Sequence, residues 1–255
     1  MGHTRLGTLP RTKPWNNVAD LVAGSASAEA VVAATLDAAQ RNLAVAADDP
    51  VLRRTFWLLT QLPTAALDED FGRALQSLGL DVSDAPSAIE LTAGFSQAID
   101  RFVATTGRSR AGELAQMSAV ETLTSVLRDR TANLFGATAA DVKREVGKLA
   151  TEKQFGLLAR TFFARFMDRF LNYFISRELP LHVGQGRRFL DRDAEKEFNE
   201  ALALHCQQAA EIIESFAGAW YSKARFERDL SEERTAGFLG YSLKKLRSEL
   251  QRMAA

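Results

Sequence analysis

The stretch EKQFGLLARTFFARFMDRFLNYFISR, residues 152–177, decides how this chain folds. Between 155 and 174 it carries Phe155, Phe162, Phe163, Phe166, Phe170, Tyr173 and Phe174. At the chain-wide aromatic fraction of 9%, about two such residues are expected in a window of that length. On a 3.6-residue wheel Phe155, Phe162, Phe166, Phe170 and Phe174 share one face, which Leu157, Phe163, Leu171 and Ile175 widen. Thr161, Arg165, Asp168 and Asn172 are left as a narrow polar strip. A helix that is apolar around most of its circumference belongs at the centre of a bundle. The competing reading is an interfacial membrane helix or partner groove, because Arg160, Arg165, Arg169 and Arg177 accompany the rings. Asp168 interrupts that basic face, so the core reading is preferred.

The sequence around this helix is helical too. It holds 41 Ala and 32 Leu against 18 Val plus Ile, a balance that favours helix over strand. Five of the six prolines precede residue 90, so the second half meets only Pro180. Apolar stripes predict helices over 27–47, over 50–62 ending before Pro63, over 68–78, 84–105 and 109–135, and from Thr138 past Leu149. Beyond the Phe-rich helix, a loop over 179–190 precedes helices over 193–221 and 231–253. Asp49-Pro50 reads as an N-cap with proline at the first helical position, and Thr138-Ala-Ala-Asp141 as a capping box. Gly79, Gly107 and Gly136 read as helix stops. The expected fold is all-α, a single bundle of about nine to ten helices around the Phe-rich one. Residues 1–24, with Pro10, Pro14 and Asn16-Asn17, read as an irregular N-terminal arm. The helical domain is then 25–255, and 107–109 is where any sub-boundary falls.

Composition excludes several functions. Lys+Arg and Asp+Glu both total 32, which disfavours a strongly basic nucleic-acid binder. One cysteine, Cys206, rules out an intramolecular disulfide framework, and with three histidines it rules out a His/Cys zinc cluster of standard ligand count. No apolar run suits a secretory signal or a membrane span, so a soluble cytoplasmic location is expected. No nucleophile elbow, zinc-protease motif or dinucleotide fingerprint is present, and no catalytic residue, cofactor or metal site is assigned.

Two features could still carry chemistry. Residues 143–192 hold eleven Lys/Arg against five Asp/Glu, and within them lies His182-Val-Gly184-Gln185-Gly186-Arg187-Arg188. Glycines let amides approach an anion and arginine forks suit phosphate, which makes His182, Gln185, Arg187 and Arg188 the candidate anion or partner contacts. His205 lies on the apolar stripe of Phe198, Leu202, Ala209 and Ile212, where a buried, satisfied histidine is the simpler reading. The expected function is non-enzymatic: a scaffold or accessory subunit docking onto a protein partner or onto itself. Three alternatives stay open: an anion or nucleic-acid binder using 143–192, a membrane-surface binder using 155–175, and an enzyme with a site assembled from scattered residues.

Overall fold

The computed structural model describes residues 8–130 and 138–254. Among them the helices are α1 (Lys13–Ala23), α2 (Ala28–Ala38), α3 (Gln40–Ala47), α4 (Pro50–Ala65), α5 (Phe71–Ser77) and α6 (Ala88–Thr106). They continue as α7 (Arg110–Arg130), α8 (Ala139–Lys148), α9 (Glu152–Ile175), α10 (Arg192–Ala209), α11 (Glu211–Phe226) and α12 (Glu232–Met253), with a 3-10 turn at Leu179–His182. The protein is an all-α bundle, as the Ala/Leu excess and the apolar stripes predict. Leu134, Phe135 and Gly136, expected to close α7, lie outside the described residues.

Helix starts follow local chemistry. The Asp49 carboxylate accepts from the Leu52 amide at 2.8 Å, with Pro50 in the first turn of α4. Ser87 and Glu90 form a reciprocal capping box on α6, and Thr138 and Asp141 form one on α8. Each such cap satisfies an amide that the helix itself leaves without a partner.

Four boundaries differ from the sequence reading. The arm expected over 1–24 is helical from Lys13. Trp15, Val18 and Val22 bury at helical spacing, and Pro14 costs little in a first turn. Pro63 lies inside α4 and does not end it. In the last turn its missing N–H forfeits a single bond, while its buried ring packs in the core. The helices expected over 27–47 and 193–221 each break in two, at Ala39 and Ala210. Neither break carries Gly or Pro. Both let the chain turn so that successive helices each bury a face.

Buried side chains from Leu9 to Leu250 form one contiguous core, and α9 runs through it against α2, α7, α10 and α11. Phe166 has no exposed surface, and Phe162 and Phe170 flank it with ring centroids 6.3 Å away on either side. Phe56 of α4 packs between Phe162 at 5.2 Å, Phe163 at 5.1 Å and Phe238 at 5.9 Å. Tyr221 stacks on Phe155 at 3.8 Å, and its hydroxyl hydrogen-bonds Thr64. Gly218 makes the α9–α11 crossing possible, because a Cβ there would stand 2.2 Å from the Glu152 carbonyl oxygen.

Candidate functional site

The C-terminal end of α9 comes to the surface in a groove. Its floor is Phe170, Tyr173 and Phe174, with Leu114 of α7 on one side and Val45 and Ala46 of α3 on the other. Arg41, Asn42, Asp49, Ser109 and Arg110 form the rim around a cavity of about 370 Å³. That is within the usual range of roughly 300–1,000 Å³ for ligand sites. Val45 is 68% exposed, an apolar side chain offered to solvent at the groove's edge. Phe174 is held from behind by Trp15 of α1, with ring centroids 4.7 Å apart. Two further cavities share lining residues with the groove. Arg41 and Asn42 also line a polar cavity at the α2–α3 elbow with Asp37 and Gln40, and Ser109 also lines a mixed one at the α6–α7 turn with Val103, Asp100 and Glu113.

Charge is unevenly distributed around this groove. Arg110 and Arg177 lie over the Tyr173 ring, 4.8 and 4.4 Å from its centroid. Arg110 also pairs with Glu113 at 2.7 Å, and Asp49 is committed to its cap. Arg41 is exposed and makes no ion pair or hydrogen bond among the described residues.

The glycine loop is arranged differently from the anion cradle considered above. The Gly184 amide donates to Phe189 O at 2.8 Å, the Arg187 amide to Gly184 O and the Phe189 amide to His182 O. Gly184 and Gly186 adopt φ of 128° and 71°, which glycine alone tolerates readily. The amides of Gly184 and Arg187 are thus used to close the loop. Arg188 turns inward: Nη1 donates to Leu21 O at 2.6 Å and Val22 O at 3.0 Å, and Nη2 to Ala26 O. Its guanidinium lies 4.7 Å from the Phe198 ring centroid and 5.0 Å from that of Phe189. These carbonyls end α1 or follow it, at the negative end of the helix dipole, and α1 has no basic residue of its own in its last turn. Burial pushes the Arg188 pKa down, as expected of a cation drawn inside. Gln185 and Arg187 are exposed, and His182 is half-buried at the end of the 3-10 turn.

A second polar cluster joins α7 to α9. Arg165 donates to Thr122 at 3.1 Å and Ser125 at 3.0 Å, and Arg169 donates to Ser118 and pairs with Glu121. Burial raises the neighbouring Asp168 carboxyl from 3.8 to about 6, with Arg169 opposing and Glu121 adding to the rise. Asn172 donates to Asp168 at 2.9 Å. The strip that looks polar on the wheel is thus a helix–helix seam. His205 is buried on α10, 3% exposed, as expected, but its Nε2 has no hydrogen-bond partner among the described residues, so it is not the satisfied histidine the sequence suggests. Burial pushes the adjacent Cys206 thiol well up, which suppresses the reactive thiolate. Among the described residues no cluster of His, Cys, Asp or Glu could hold a metal, and no helix is long and apolar enough to cross a membrane.

Sequence reading placed Phe170 and Phe174 in the core and missed the groove around them. Val45, apolar but off the stripe of its helix, and Ser109-Arg110 at a helix start were the available signals. Comparison of the chain with protein-family models, curated proteins and solved structures found no match.

Proposed function

We propose that this protein acts by binding, docking a polypeptide segment of a partner in the groove between α3, α7 and α9. The observation that carries the reading is an aromatic-floored groove that shares Arg41 and Asn42 with one neighbouring cavity and Ser109 with another. An elongated occupant fits this neighbourhood, with an apolar side chain over the aromatic floor and backbone along the rim. Aromatic residues with arginine are the composition expected where a few contacts supply most of the binding energy. The membrane-surface alternative draws no support from the rings that suggested it, since Phe155, Phe162, Phe163 and Phe166 are buried.

The test is position-specific photocrosslinking in the native host. A photoreactive residue replacing Val45 should yield a discrete protein adduct that Tyr173→Ala reduces. The same residue at Lys196, exposed on the outer face of α10, should not yield it. Equal labelling from both positions, or none from Val45, refutes the proposal.

A further inference from the structure

Charge at the groove points to the chemistry of what it holds. The carboxylates around the mouth are each engaged. Asp49 accepts from the Leu52 amide, Glu113 from Arg110, and Asp37 from Gln251 with Arg247 3.6 Å away. Arg41 forms no ion pair or hydrogen bond among the described residues. The N-terminus of α7, a 21-residue helix, opens on the same cavity. Ser109 Oγ satisfies its Gly112 amide at 2.9 Å. The amides of Arg110 and Ala111, the first two residues of α7, have no carbonyl within the helix to bond. The positive end of the α7 dipole adds to Arg41, Glu113 of that first turn being paired with Arg110, and Asp49 answers the corresponding end of α4. One cavity therefore joins an aromatic floor to an exposed arginine without an ion pair among the described residues and to the first turn of α7.

We infer that the docked segment is acidic: an apolar anchor side chain against Tyr173 and Leu114, with an Asp or Glu within a few residues of it. The carboxylate meets Arg41 and the first amides of α7. Both border the same cavity as the floor, so anchor and acid must be close in the partner's sequence. This inference rests on the docking reading above and adds the partner's charge to it. It also gives the groove a means of discrimination, because a basic segment would bring like charge against Arg41 and Arg110.

The experiment is selection of a random 12-residue peptide library on the full-length protein. Tyr173→Ala and Val45→Glu serve as groove-blocked counterparts, the second changing only an exposed side chain. Synthetic copies of the selected peptides are then titrated against the parent and Arg41→Glu. The inference expects groove-dependent peptides enriched in Asp or Glu beside a Leu, Phe or Met. Their binding should weaken about fivefold or more in Arg41→Glu and decline with added salt. Groove-dependent peptides without acidic enrichment, or indifferent to Arg41→Glu, overturn the acidic inference and leave the docking reading standing. Absence of any peptide that either groove variant weakens overturns both.

Discussion

Gly218→Ala should be strongly destabilising, although alanine favours a helix by about 1 kcal/mol over glycine. The added Cβ would lie 2.2 Å from the Glu152 carbonyl oxygen and 2.8 Å from the Glu152 carbonyl carbon. Real Cβ atoms essentially never approach closer than 3.0 Å, so the two helices must separate by at least the difference, roughly 0.8 Å. The obstructing atoms are backbone and cannot rotate away. Separation loosens the Phe155–Tyr221 stack, whose centroids are 3.8 Å apart. Overpacking of this kind costs typically 1–3 kcal/mol, and a rigid obstruction belongs at the upper end, so a net loss of about 2 kcal/mol is expected. For a chain of this size that corresponds to a fall in Tm of about 4–8 °C. Gly237→Ala and Gly240→Ala provide the control, since a Cβ at either helical position meets nothing within 4 Å. Those two should be neutral or stabilising by up to about 1 kcal/mol in the same thermal melts. If Gly218→Ala melts with the controls, the close α9–α11 crossing is wrong.

Three other outcomes follow from the same structure. Arg188→Ala should free the end of α1, so limited proteolysis would cut near residues 21–26 faster than in the parent; unchanged cleavage would refute the staple role. With the Asp168 carboxyl at about 6 in the fold and near 3.8 unfolded, the native state holds a proton the unfolded chain has released. Stability should therefore fall as pH rises through that window, by on the order of 1–2 kcal/mol after solvent screening, and Asp168→Asn should flatten that part of the denaturation profile. Tyr173→Ala, at a half-buried groove position, should cost less than about 2 kcal/mol and leave helicity by circular dichroism intact, while removing groove-dependent crosslinks.

The fold was legible where one pattern dominated. The Phe-rich stretch could satisfy its rings only from inside a bundle, and the caps at Asp49 and Thr138 act where the sequence places them. Breaks were legible only where a residue enforces them. Ala39 and Ala210 are good helix formers, so those turns come from tertiary packing and leave no local mark. Pro10, Pro14 and the paired asparagines masked the Trp15, Val18 and Val22 stripe that makes α1 a helix. The site was harder to see for a related reason. Tyr173 is one of the aromatic residues of a helix that reads as core, yet it lines a groove with residues of α3 and α7 far from it in sequence. Arg188 looked like an anion contact because its sequence neighbours are glycines. Its partners are carbonyls more than 160 residues away, a separation no local motif can encode.

The unfolding free energy of Phe166→Ala in the isolated protein tests most directly whether the Phe-rich helix is core, with the proposed docking confined to the groove at its C-terminal end. Phe166 is fully buried between Phe162 and Phe170, so truncation leaves a cavity in a packed stack and should cost about 3–5 kcal/mol. A variant within about 0.5 kcal/mol of the parent would contradict the account and make residues 155–175 the functional surface.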